Sequence, residues 1–270
     1  MLYKSIMFFV FFIPSYVIAS NVKSPEVCID IWDRVNDVYF ENNSYDEVIE
    51  IFRVGADEKC KSTGFYFLKL GWLAVLNSDF ELGLNSFDQG IALKSGYVKQ
   101  LKLAKADYYF QLGAKQEGEQ QKIYLIKSEA EYKKLIENIP NFYDAYNKFT
   151  GLLLVLGKYE QVIQYGKLAL EGGEYEFSYR NLTISYQKLN QYMSAITSMK
   201  KAFSLNKDIF GDTDFMLATA LSYSSLGKFE HSLKVLQKLV ELKPKAINED
   251  DFQNVAKYIR NEVQKKETKK

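Results

Sequence analysis

Along most of this chain apolar residues recur three and four positions apart, the spacing of one helix face. Tyr179, Leu182, Tyr186 and Leu189 make one such stripe, and Trp32, Val35 and Tyr39 make another. Ile163, Tyr165, Leu168 and Ala169 form a third, immediately after a turn. The turns themselves repeat. Each places a turn residue before an aromatic, then an acidic or polar residue, then a small or apolar pair. The examples are Asn43-Ser44-Tyr45-Asp46 with Val48 and Ile49, and Ser78-Asp79-Phe80-Glu81 with Gly83 and Leu84. They continue with Gly157-Lys158-Tyr159-Glu160, Asn190-Gln191-Tyr192-Met193 and Gly227-Lys228-Phe229-Glu230. The aromatics stand at 45, 80, 159, 192 and 229, at intervals of 35, 79, 33 and 37. The interval of 79 holds one further unit of greater length.

The pattern predicts a helix, a turn and a second helix in every unit. Gly or Asn at the turn supplies the left-handed conformation that ends a helix. The aromatic two residues later begins the second helix and packs back on the first. Gly83, Ala195 and Ser232 are small enough to let paired helices approach closely. Pro140 and Pro244 close two of the second helices, because proline breaks the backbone ladder. The third unit is irregular, with helices predicted over 98–112 and 121–138 around AKQEGEQQ. Either its turn is longer or both its helices are extended. A last helix from Asp250 to about Val263 carries Phe252, Val255 and Ile259 on one face.

A helix–turn–helix unit of about 34 residues has the length of the tetratricopeptide repeat. The residues resemble that family. Phe67, Leu70 and Gly71 match the opening of its pattern, as do Tyr179, Leu182 and Tyr186, with Thr183 in place of glycine. Ala195 with Met199, and Val162 with Gly166, match the second helix. The resemblance implies an all-α, right-handed solenoid over 28–245, with units near 29–62, 64–97, 98–142, 143–175, 176–212 and 213–245. A capping helix over 246–264 and a basic, disordered tail over 265–270 follow.

The resemblance also implies a concave groove lined by the first helix of each unit. Its occupant would be an extended peptide or a partner helix. Phe65, Leu68, Trp72, Asn147, Lys148, Arg180, Asn181 and Lys188 are expected to face it, with Asp30, Asp33, Asp37 and Glu41 at one end. Arg180, Asn181 and Lys188 faintly resemble a carboxylate clamp, and Arg offers a bidentate fork to an acidic or C-terminal carboxylate feature of a partner. The oligomeric state stays open.

Residues 1–19 read as a secretory signal: Lys4, an apolar run from Ile6 to Ile13, and Val17-Ile18-Ala19 before the cut. The rival is an uncut anchor, although a span needs about 20 apolar residues. Residues 20–27 would be a linker. Export to a bacterial periplasm or cell envelope is expected, with secretion or a lumen as the alternative. Asn42-Asn43-Ser44 and Asn181-Leu182-Thr183 are glycosylation sequons, and a glycan within a helix at Asn181 would sit awkwardly. In an oxidising compartment Cys28 and Cys60, at the two ends of the first antiparallel pair, are expected to form a disulfide.

Charge and composition narrow the function. Lys and Arg number 35 and Asp and Glu 34, which gives no overall bias toward nucleic acid. Locally, 29–62 carries nine acids and four bases, and 257–270 six bases and two acids. His231 is the only histidine, so it alone could serve a Ser–His–Asp triad. Its counterparts Gln161 and Ser194 are polar, which predicts a solvent-facing position. No metal-binding spacing, phosphate-binding loop or nucleophile elbow is present in the sequence. The reading is a non-catalytic scaffold or adaptor without metal or cofactor. An envelope assembly or secretion accessory, docked at a membrane, is the alternative, and an enzyme using groove carboxylates a more distant one.

Overall fold

A computed structural model describes residues 25–42 and 44–268. The leader and the first part of the linker lie outside them. The described chain is all-α: α1 Ile29–Asn42, α2 Tyr45–Gly55, α3 Glu58–Lys61, α4 Gly64–Leu76, α5 Phe80–Ala92, α6 Val98–Lys115 and α7 Gly118–Asn138. There follow α8 Tyr143–Val155, α9 Tyr159–Glu171, α10 Glu176–Lys188, α11 Tyr192–Leu205, α12 Thr213–Ser225, α13 Phe229–Leu242 and α14 Asp250–Glu267. The described residues form two compact units, one ending at Pro140 and the other beginning at Asn141.

The turn signature sets the helix boundaries. The five aromatics expected to begin second helices are the first residues of α2, α5, α9, α11 and α13. At Gly157, Asn190 and Gly227 the backbone is left-handed, with φ of 68°, 58° and 70°. The flanking bonds are those of a Schellman motif. At the first of these turns, Lys158 N donates to the Leu153 carbonyl and Gly157 N to the Leu154 carbonyl. Ser78 takes the same conformation (φ 64°) without being Gly or Asn, and Asp79 beside it caps α5 by accepting from Leu82 N at 3.0 Å.

In the first unit, Trp32 meets the rings of Phe52 and Phe65 edge-on at 5.6 and 5.8 Å. Gly71 is required by contact, since a Cβ there would lie 2.4 Å from the buried ring of Phe87. The irregular third repeat has extended helices rather than a long turn. α6 and α7 are joined by Gln116 and Glu117 alone, and Gly118 opens α7 at φ 61°. A buried polar pair fastens them: Ser128 Oγ donates to the Ala106 carbonyl at 2.8 Å, and the Tyr132 hydroxyl donates to Asp107.

Cys28 and Cys60 form a disulfide, with Cα atoms 5.1 Å apart. The second helix of this repeat ends sooner than the sequence pattern suggested. α2 stops at Gly55, and Cys60 sits on the short α3, where Asp57 Oδ1 accepts from its backbone N–H at 2.7 Å.

In the second unit the helices from α8 to α13 are uniform, at 13 or 14 residues each. Its core gathers Met199, Phe215, Met216, Leu236 and Leu239, and Phe252 and Ile259 bring α14 onto it. α14 continues to Glu267, past the end expected at 264. Lys265 pairs with Glu262 at 2.7 Å, and Lys266 lies 5.2 Å over the Phe229 ring. Basic residues in a last turn also suit the helix dipole. No described helix is long and apolar enough to cross a membrane.

Candidate partner-binding site

Within the second unit the first helices α8, α10 and α12 pack side by side. They are tied by side chains rather than by apolar contact alone. Ser178 on α10 donates to Asn147 Oδ1 on α8 at 2.7 Å. Asn181 Nδ2 donates to Thr150 Oγ1 at 2.9 Å, and Thr150 in turn donates to the Asn147 carbonyl at 2.6 Å. On the other side, Arg180 Nε and Nη2 grip the two Asp212 oxygens at 2.8 and 3.1 Å. Its Nη1 donates to Asn181 Oδ1 at 2.9 Å. Asp212 Oδ1 also accepts from Phe215 N at 2.9 Å, so the carboxylate that holds Arg180 also caps α12.

A buried guanidinium and a buried amide are costly unless their hydrogen bonds are made. The ladder makes them. Arg180 is 4% exposed, and its fork is closed by Asp212, with Asp214 a further 4.0 Å contact. This corrects the expectation that Arg180 offers its fork to a partner's carboxylate. Asn181 is likewise buried within the ladder, so a glycan there has no room. Asn147 and Lys148 are half-buried, and Lys188 is exposed at the end of α10.

The first unit treats its expected residues differently. Phe65 and Leu68 are buried in two adjoining apolar clusters, and Trp72 is half-buried with its ring 5.7 Å from Phe87. These residues therefore act as core, contrary to the expectation for Phe65 and Leu68. The cause is the position of α4, which packs on α2, α5 and α6 and so buries most of its circumference. Asp30, Asp33 and Asp37 are exposed on α1, and the side chain of Glu41 lies outside the described residues.

Beside Phe65 sits a residue the sequence pattern did not single out. Lys69 is 1% exposed, with its Nζ 4.3 Å over the Trp32 ring and 5.5 Å over the Phe65 ring. Burial lowers its ammonium from 10.5 to about 8. The aromatic faces oppose that shift, since a ring quadrupole attracts the cation. Asp212 was also missed, although an aspartate directly before a helix is an N-cap signal. His231 is exposed, as its aligned neighbours implied, and its ring lies 5.2 Å from that of Tyr223.

No family model and no curated protein matches the chain. Solved structures do. PilW, described as a widely conserved type IV pilus biogenesis factor, is 15% identical with a TM-score of 0.63, over 86% of this chain and 100% of that one. YrrB, described as a TPR protein with an unusual peptide-binding site, is 12% identical with a TM-score of 0.53, over 79% and 98%. The Cut9–Hcn1 hetero-tetramer of the APC/C is 14% identical with a TM-score of 0.65, over 96% of this chain and 47% of that one. The repeated turn, the paired helices and these likenesses agree on one conclusion: the chain has the fold of tetratricopeptide-repeat proteins.

Proposed function

We propose that this chain is a non-catalytic protein-interaction scaffold whose partner, a peptide or a helix, lies on the first helices of the second unit. The ladder from Asn147 to Asp212 carries this reading. It holds α8, α10 and α12 in one arrangement, so little ordering remains to be done when a partner binds. Arg180 and Asn181 build the wall from within. Lys188 and Lys148 are the basic groups that would meet an acidic stretch of the partner. Solenoids of stacked helix pairs create extended binding surfaces of this kind.

The test is capture of partners from the native compartment with the parent chain and with a Lys148→Glu, Lys188→Glu variant. Loss of the captured partner supports the wall. Unchanged capture by a folded variant removes both lysines from the site.

A second reading concerns location. The Cys28–Cys60 bridge suits an oxidising compartment, and PilW, similar in fold, is described as a pilus biogenesis factor. Together with the apolar leader they favour export and a role in envelope assembly. Fractionation without detergent, with N-terminal sequencing, tests it. A soluble chain beginning at Ser20 supports cleavage, whereas a membrane-bound chain beginning at Met1 favours the anchor.

A further inference from the structure

The second helices of the second unit have surfaces that the wall of first helices does not use. α9, α11 and α13 begin at Tyr159, Tyr192 and Phe229, so their surfaces compare position by position. A hollow lies between α9 and α11 and another between α11 and α13, of about 360 and 370 Å³. Lys167 and Lys200 stand at matching places in their linings, but the second hollow lies further along its helices and its chemistry differs. The first has Tyr186 and Ser194 in its lining, with Glu160 balancing Lys167. The second has Tyr223 and His231 at the matching places, with Lys200, Lys234 and Lys238 around them and no carboxylate in the lining. Its floor is apolar, formed by Phe203 and Phe210, stacked at 4.1 Å, together with Val235.

We propose that this second hollow docks an acidic peptide segment that inserts one aromatic or large aliphatic side chain against Phe203 and Phe210. The apolar floor removes the anchor from water. Lys200, Lys234 and Lys238 meet carboxylates on either side of it. Glu230 and Glu241 hold Lys234 and Lys238 at 2.7 and 3.4 Å, from outside the hollow. Those pairs are exposed, so each contributes little and can be exchanged for a partner's carboxylate. The recess favours a peptide over a membrane, since docking on a flat headgroup layer calls for protruding apolar groups rather than a hollow. The charge is local rather than a long basic track, which argues against nucleic acid. Apart from Tyr223 on α12 its lining lies outside the first helices, and neither proposal rests on the other.

The experiment is fluorescence anisotropy of the full chain with a fluorescein-labelled peptide, Asp-Glu-Asp-Phe-Glu-Asp-Glu. Binding that weakens as salt rises is expected. Replacing the central Phe by Ala should weaken it by about tenfold. A Lys200→Glu, Lys234→Glu, Lys238→Glu variant with unchanged circular dichroism should lose about tenfold or more in affinity. Lys167→Glu in the first hollow should bind as the parent does. A benzoylphenylalanine anchor should cross-link to α13 or to the 203–210 segment. No binding, an equal loss with Lys167→Glu, cross-links on α8 or α10, or binding to phosphatidylserine vesicles but not to the peptide would each overturn the proposal.

Discussion

The two units share one repeat and hold it together with different chemistry. The first fills its interior with aromatic rings, a disulfide and a lysine lying on two ring faces. The second ties neighbouring helices with a chain of amides, hydroxyls and one buried ion pair. The repeat therefore specifies where helices start, stop and touch. It leaves open what fills the contact. A polar ladder is demanding, because a buried member left unpaired costs more than its bond contributes. Apolar and aromatic packing is less directional, and in the first unit the buried polar ties described lie within the α6–α7 pair.

Removing the first unit's covalent tie should have the largest effect. Cys28→Ser with Cys60→Ser should destabilise by roughly 3–4 kcal/mol, on the chain-entropy account of a loop this long. Hydrogen exchange should place the loss in α1 to α4 and spare α8 to α13. An even spread would show that the units do not differ in this way. Asp212→Ala attacks the second unit's counterpart. It strands the Arg180 guanidinium in the interior and uncaps α12, at a cost of about 3 kcal/mol in chemical denaturation. Asp212→Asn keeps the cap acceptor and should cost less.

Packing in the first unit can be probed at Gly71. The added methyl of Gly71→Ala meets a ring that is fully buried, so about 2 kcal/mol should be lost in the same measurement. Lys69 gives a smaller, pH-dependent signature. Between about pH 8 and 10.5 the unfolded chain holds the Lys69 proton and the folded chain releases it. Stability should therefore rise with pH across that window, by about 1 kcal/mol, because the rings over Lys69 partly offset the burial. Buried tyrosines act oppositely above pH 10, and burial pushes Tyr108 up to about 12. The clean measurement is the difference between the parent and Lys69→Met, with the rise expected only in the parent. His231→Gln should shift stability by no more than about 0.5 kcal/mol, since the side chain is exposed.

Much of the architecture was legible along the chain, and its reasons are local. Gly157, Asn190 and Gly227 announce left-handed residues, and the aromatics two places later begin helices. The candidate site was less legible. Arg180 reads as a fork for a ligand until Asp212, 32 residues away, is found between its nitrogens. Phe65 and Leu68 read as groove residues until α2 and α6 are seen to flank α4. Helical periodicity reports one face of a helix. It does not report how many neighbours the helix has.

By itself, then, the sequence determined the all-α class, the repeat, the starts of the second helices and the pairing of Cys28 with Cys60. The first three depend on backbone conformation or on residues within one or two turns of chain, and the pairing joins the two ends of one repeat, 32 residues apart. Only the tertiary structure decided which polar residues face inward, that α6 and α7 are extended, that Lys69 lies over aromatic rings, and that one of two hollows on the second helices is lined by three lysines. Those outcomes depend on residues from different helices, mostly of different repeats, meeting in space. Burial and pairing are properties of that meeting, and no single segment carries them.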